Sequence, residues 1–472
     1  MLYSHVLRYG PYWVLAPFLV AVAMVTSPTA AEDLLAGGDF AAIEGDGLPE
    51  AWSVWTPTWS EAACTVRRVE GGLRMEAPGR PFSVGGVFHE VDGIQGGVAY
   101  AVSADLTAER LPWPHQTLTV RITWLRERRP LHPAGMLVRG PRPVEAAMPV
   151  GDAGSEASAD GAARFEFRDV LVAPAEADSA RVALEVKWPR EGTVTWHRVA
   201  MEPTEPPSPR PARIGTVYLR PRESTPERNL ELYASLVKEA GQHNLDIVCL
   251  PEALTLVGTG RTSAEVAEPI PGPSTARLGE AAREANVYVV AGLYERDGER
   301  LYNTAVLLDR EGQLAGSYRK THIPREEWMQ GFTPADDYPV FETDFGTVGI
   351  KICYDWFFPE VSAILALRGA EIVLAPTWGT TFPDEEGRVQ GETVFRVRAR
   401  DNGIYLVPCV FDGSSMVIDP LGRILVSNEG KDGLFWCEVD LAEREPLRWV
   451  GHWRSIGPRD RMPATYGPLQ EP

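Results

Sequence analysis

The sequence predicts an all-β sandwich followed by a layered α/β domain, and three observations carry that expectation. Glu202 to Arg213 reads EPTEPPSPRPAR, with prolines at 203, 206, 207, 209 and 211. Such a stretch lacks the amide donors of a sheet or helix and favours stiff, extended polyproline II, so residues 203–211 read as a linker. Before it, apolar and polar residues alternate with the period of half-buried strands; after it, strand-like and helix-like segments take turns. A chain of 472 residues also exceeds what one core usually serves.

Residues 1–31 stand apart from the fold. Arg8 supplies a positive start, Tyr12 to Val25 (YWVLAPFLVAVAMV) is an apolar run, and Thr29-Ala30-Ala31 offers small residues for cleavage. The run is short for a membrane span, which needs about 20 residues, and Pro17 interrupts it. The expectation is a removed signal peptide and export to the periplasm or the extracellular space. An uncleaved N-terminal membrane anchor is the alternative.

The β-sandwich is expected over residues 32–202. LTVRITW (118–124), ARFEFRDVLV (163–172), RVALEVKW (181–188) and GTVTWHRVAM (192–201) alternate cleanly, with Gly, Pro and Asp clusters between them. The stretch around 145–163 reads as a long mobile loop. Several short strands of this kind suggest a sandwich or jelly roll. The opening LLAGGDF and the following GLPEAW (47–52) resemble the start of galactose-binding-like and carbohydrate-binding jelly-roll modules. That resemblance implies a glycan partner for this domain, with Trp52, Trp55, Trp59, Trp113 and Trp124 as stacking candidates, although core or surface packing is the commoner role for each.

Residues 212–472 read as the α/β domain. RIGTVYL (213–219) is a strand, and Thr225-Pro226 supplies an N-cap and first-turn proline for a helix ending near Gln242. DIVCLPE (246–252) is a buried strand, Ser274 to Ala285 a helix, and VYVVAGLYE (287–295) a strand. LYNTAVLLD and QLAGSYRKTHI form a hairpin across Arg310-Glu311-Gly312. GTVGIKICYD (346–355) is a strand, Pro359 to Arg368 a helix, EIVLAPTW (371–378) a strand, and a last helix runs from Arg388 to Asn402, where Gly403 stops it.

Composition narrows the function. A net charge of −19 argues against nucleic acid and against anionic lipid surfaces. Five cysteines (Cys64, Cys249, Cys353, Cys409, Cys437) are too few and too scattered for a disulfide framework, and the odd count leaves a free thiol. Cys249 and Cys409 sit inside apolar strands, where a small buried hydrophobe is the plain reading. G-x-S-x-G, H-E-x-x-H, C-x-x-C and phosphate-loop patterns are absent.

Three residues fall where strands run out: Glu252 after DIVCLP, Lys320 after the second hairpin strand, and Cys353 after GTVGIKI. Strand ends are where α/β folds build sites. Their contexts, LPEAL (250–254), YRKTHIP (318–324) and GIKICYDWFFPE (349–360), closely resemble the nitrilase superfamily, supported downstream by RARDNGIYLVP (398–408) and SSMVIDPLGRIL (414–425). The resemblance implies an αββα four-layer sandwich, a Glu-Lys-Cys triad of Glu252, Lys320 and Cys353, and no metal or organic cofactor. It also implies a homo-oligomer. A second, supporting glutamate follows the lysine in that family; Glu326 and Glu327 both qualify here, with Glu327 favoured by spacing.

The chemistry of these residue types agrees. Lys320 as an ammonium would favour the Cys353 thiolate and face the oxyanion of a tetrahedral intermediate, with the Tyr354 backbone N–H as second donor. Glu252 would move the protons. His322 is the one histidine near a motif, in a packing or capping role as readily as a catalytic one. Arg396, Arg398 and Arg400 could clamp a substrate carboxylate or serve as surface salt bridges. The expected activity is hydrolysis of a non-peptide carbon–nitrogen bond in a small amide or N-carbamoyl compound. The competing expectation is an exported glycan-binding protein that keeps the fold as a scaffold; an intact triad separates the two.

Overall fold

The computed structural model describes residues 33–40, 47–77, 80–111, 113–132, 135–144, 162–379, 390–442, 457 and 459–469. The expected leader at 1–31 and nearly all of the 145–163 loop lie outside the described residues.

The first domain is two six-stranded antiparallel sheets. One orders Trp52–Trp55, Val84–Asp92, Ser179–Lys187 and Leu118–Arg126, with the short Arg129–Pro130 and Met136–Leu137 at its edge. The other orders Thr65–Val69, Gly72–Glu76, Thr193–Thr204, Ala99–Glu109, Ala162–Val172 and Arg142–Pro143. Along Ala99–Glu109 buried and half-buried positions alternate nearly without fault, because successive side chains of a strand face opposite sides. The inward faces meet in one core that joins Val87, Ile122, Trp124, Val182 and Leu184 to Leu73, Met75, Leu106, Phe167, Trp196 and Met201. Trp52 and Trp124 are therefore core residues, whereas Trp55 and Trp59 stay exposed.

The proline-rich stretch is narrower than the sequence suggested. Thr193–Thr204 carries Pro203 in the ladder opposite Tyr100, and Pro211 opens the next strand, Pro211–Tyr218. Neither placement offends the ladder. The neighbouring strand Gly72–Glu76 pairs only with Thr193 to Trp196; beyond it Val199 N–H donates to the Gly38 carbonyl and Met201 N–H to Asp33, so among the described residues Pro203 sits two residues past the last bond on that side. Only 205–210 remain irregular between the two.

The second domain also holds two six-stranded sheets. The first runs Leu314–Arg319, Arg300–Leu308, Tyr288–Asp297, Ile247–Cys249, Pro211–Tyr218, Gly433–Asp440. The second runs Val340–Glu342, Thr347–Ile350, Ile372–Gly379, Tyr405–Asp412, Met416–Ile418, Ile424–Ser427. Each has a parallel centre and antiparallel margins. Their facing sides share one core, with Ile214, Val248 and Val290 from the first and Ile350, Leu374, Val407 and Phe411 from the second. Thr216 Oγ1 ties the layers by donating to the Pro408 carbonyl at 3.0 Å. Helices Pro226–Gln242 and Pro273–Ala285 cover the first sheet through Tyr233, Val237, Leu278 and Ala281. Pro359–Leu367 and Gln390–Asn402 cover the second through Val361, Leu365, Phe395 and Ala399. The layers are helix, sheet, sheet, helix.

Each domain thus has its own core, but the chain returns to the first domain near its end. Arg459 is buried and donates to the Gly140 carbonyl at 2.6 Å, Lys187 pairs with Asp460 at 2.6 Å, and Gln116 donates to the Arg461 carbonyl. Cutting the linker would not by itself free the two halves, a contact that no local pattern announced.

Candidate functional site

Glu252 lies three residues past the parallel strand Ile247–Cys249, and Cys353 lies three past the parallel strand Thr347–Ile350. Lys320 directly follows the edge strand Leu314–Arg319. The sequence reading carried the strand before Cys353 through to Asp355; it ends at Ile350, and Cys353 opens a 3-10 turn, Cys353–Phe357. The reason is local. Cys353 has φ +41°, a left-handed conformation that costs a non-glycine residue about 1–3 kcal/mol and breaks any ladder. Ala253, right after Glu252, is left-handed too, at φ +48°.

The site brings the two carboxylates and the ammonium into one buried cluster. Lys320 Nζ donates to Glu252 Oε1 at 3.0 Å and to Glu327 Oε1 at 2.8 Å. Asn303 Nδ2 spans the same two oxygens, at 2.7 Å and 3.0 Å. Glu252 Oε2 accepts the backbone N–H of Trp378 at 2.7 Å. Glu252 and Lys320 are each 1% exposed, and Glu327 is buried while Glu326 is exposed. Of the two neighbouring glutamates, Glu327 is the one the structure brings against Lys320.

Backbone packing sets this position. A Cβ on Gly292 would sit 2.5 Å from Glu252 Cα, so only glycine lets the strand Tyr288–Asp297 pass so close under the Glu252 corner. Lys320 is anchored through its own N–H, which donates to the Asn303 carbonyl at 2.8 Å. Asn303 thus holds both the lysine backbone and the two glutamate side chains. Neither Asn303 nor Trp378 was singled out from sequence; an asparagine inside the apolar strand Arg300–Leu308 was the available signal, since a buried amide needs partners.

Electrostatics follow from burial. Burial pulls the Lys320 ammonium down, but Glu252, Cys353 and Glu327 together outweigh it and hold the group well above the ordinary lysine range. Lys320 is a fixed cation. Burial pushes the Glu327 carboxyl up to about 7, with Lys320 opposing and Glu252 adding. Burial, then the Glu252 carboxylate, push the Cys353 thiol far up, against the weaker pull of Lys320 and the Trp378 N–H. Lys320 therefore favours the thiolate, as the sequence suggested, while burial and Glu252 oppose it.

The remaining candidates fall elsewhere. Tyr354 follows the thiol in the first turn of the 3-10 segment, where backbone N–H groups have no acceptor within the turn. Arg396 is engaged by Glu392 and the Gly422 carbonyl, and Arg398 lies mostly buried near Asp401. Arg396 and Arg398 are thus engaged within the fold, and Arg400 is exposed. Lys351, unremarked in the sequence, is fully buried, donates to Ser362 Oγ at 3.0 Å and is pulled down to about 7 by burial, then by Arg398. Cys249 and Cys409 are fully buried, as expected of apolar filler.

Known proteins place this domain. The family model described as carbon-nitrogen hydrolase matches residues 213–448. A probable nitrilase of Schizosaccharomyces pombe is 32% identical over 279 residues, spanning 55% of this chain and 99% of its own. An omega-amidase of Mus musculus is 31% identical over 239 residues, spanning 47% and 86%. Among solved structures, a carbon-nitrogen hydrolase from Helicobacter pylori G27 superposes with a TM-score of 0.46 at 24% identity, covering 56% of this chain and 99% of that one.

Proposed function

The chain belongs to the carbon-nitrogen hydrolase family, and from that premise we propose that it hydrolyses an amide-type carbon–nitrogen bond, amide or N-carbamoyl, of a small molecule through a Cys353 thioester. The observation that carries the reading is the buried Lys320 ammonium between Glu252 and Glu327, with the Cys353 thiol close enough to feel both Lys320 and Glu252. Glu252 takes the thiol proton as Sγ attacks the carbonyl carbon. Lys320 Nζ and the Tyr354 N–H face the resulting oxyanion. Glu252 passes its proton to the departing amine, the carbon–nitrogen bond breaks and a thioester remains. Glu252 then deprotonates a water that attacks the thioester, and the carboxylate product leaves as Cys353 regains its proton. Glu327 and Asn303 hold Lys320 and Glu252 in register. An inert scaffold would have no use for two buried carboxylates gathered on one lysine, which disfavours that alternative.

The purified protein is expected to release amine or ammonia from a panel of short amides, N-carbamoyl amino acids and nitriles, and Cys353→Ala to release none. Iodoacetamide should label Cys353 and spare Cys249 and Cys409, because of these three only Cys353 is partly accessible. Turnover that survives Cys353→Ala, or equal labelling of all three thiols, would defeat the reading.

The reading extends to the first domain as a jelly-roll-type glycan module that, in an exported and oligomeric enzyme, sets location. Its support is an aromatic face: exposed Trp59 stacks on exposed Phe82 with centroids 5.4 Å apart and planes 10° from parallel, and Trp55 is exposed as well. Wild type is expected to be retained by an immobilised-glycan panel and Trp59→Ala to elute early. Failure of every glycan to retain wild type rejects this part alone.

A further inference from the structure

We infer that Asp355 is a positioning residue that locks the Cys353 corner onto the strand end carrying Lys320; this rests on the reading of Cys353 and Lys320 as reacting groups. Asp355 is fully buried, two residues past the thiol. Its carboxylate accepts the Ile352 N–H at 2.8 Å, and its own N–H donates to the Ile352 carbonyl at 3.0 Å. These two bonds bracket Cys353 and impose its left-handed backbone. The same carboxylate reaches across to the Lys320 segment. Tyr318 Oη donates to Oδ2 at 2.7 Å, and Oδ1 meets the His322 N–H at 3.2 Å, His322 Nδ1 at 2.9 Å and Thr321 Oγ1 at 3.3 Å.

One carboxylate therefore holds the residue before Cys353 and three residues flanking Lys320. Ile352, Tyr318, Thr321 and His322 converge on it, two of them through backbone N–H groups. The clasp is closed outside by Phe358, whose ring stacks on His322 at 3.8 Å, 10° from parallel. Lys320 is fixed independently by Asn303 and the glutamates, so without Asp355 the thiol, not the ammonium, would wander. This gives His322 its role: it is a limb of the clasp, not a proton carrier.

The test measures the rate of Cys353 alkylation by iodoacetamide against pH, with kcat and KM alongside, in Tyr318→Phe, Asp355→Asn and Tyr338→Phe. Tyr338 is the matched control, because its hydroxyl meets Thr321 Oγ1 at 2.9 Å in the same cluster and has no hydrogen bond to Asp355. Tyr318→Phe should cut kcat about tenfold at near-constant KM and shift the alkylation profile, the scale of one lost charge-assisted bond. Asp355→Asn should cut kcat about 100-fold, the scale of a reacting atom misplaced by about 1 Å. Tyr338→Phe should leave both readouts near wild type. If all three variants behave alike while folded by circular dichroism, whether all slow or all normal, the inference is overturned. If Asp355→Asn does not fold, Tyr318→Phe against Tyr338→Phe decides. Because alkylation needs no substrate, a failed hydrolase reading and a failed clasp give different results.

Discussion

Replacing Lys320 by methionine is expected to lower kcat by at least about 100-fold and to leave a protein whose stability deficit grows with pH. The catalytic loss is the scale of removing one oxyanion donor. The stability loss comes from what methionine leaves behind. Glu252 Oε1 and Glu327 Oε1 each lie within 3.0 Å of the same ammonium, so the variant buries two carboxylates without their cation. Removing one partner of a buried ion pair costs about 3–5 kcal/mol. Part of that cost is escaped by protonation, and Glu327 is the group to take the proton, since burial already pushes it up to about 7.

The sign follows from that direction. A carboxyl whose folded pKa lies above its unfolded value contributes fully below the unfolded pKa and loses that contribution as pH rises through the folded one. In wild type the loss is complete a little above pH 7; without Lys320 the folded pKa rises further and the loss continues. Melting temperatures of Lys320→Met and wild type should therefore lie closest near pH 5 and farthest apart near pH 9. A difference independent of pH would mean that Lys320 does not compensate these carboxylates.

What could be read from the sequence was whatever local pattern encodes. The alternation of 181–188 and the capping signals at Thr225-Pro226 depend on neighbours in the chain, and both elements formed where expected. The three strand-end residues were legible because each motif carries its own flanks. Asn303, Trp378 and the Asp355 clasp were not, because their roles depend on contacts 24 to 126 residues apart. The strand break before Cys353 was hidden for a different reason, because it is set by a contact only three residues long. GTVGIKIC is apolar and β-prone throughout, and only the Asp355 carboxylate turning back on Ile352 stops it. Pro203 misled in the opposite direction, since its tolerance depends on how far a neighbouring strand extends.

Glu252→Gln should separate two properties that usually fall together. Turnover is expected to drop by about 1,000-fold or more, because a glutamine amide can neither take the thiol proton nor activate water, and general acid–base help is worth about 10²–10⁴-fold. The side chain should stay in place, since its amide oxygen can still accept from Lys320 and Asn303 or from the Trp378 N–H, although one of its N–H donors must then face another donor. The thiol should respond in the other direction. After burial, the Glu252 carboxylate is the main influence holding Cys353 protonated, while Lys320 works against it. Remove that negative charge and keep the ammonium, and the thiolate becomes easier to form. Alkylation of Cys353 by iodoacetamide at pH 7 should therefore become faster as turnover collapses. An activated ester should acylate the variant and stay on it, giving a burst of leaving group and a stable adduct on Cys353 by mass spectrometry, because hydrolysis of the thioester still lacks its base. Alkylation that slows in step with turnover would mean that Glu252 supports the thiolate rather than opposing it, and the electrostatic account of the site would have to be reversed.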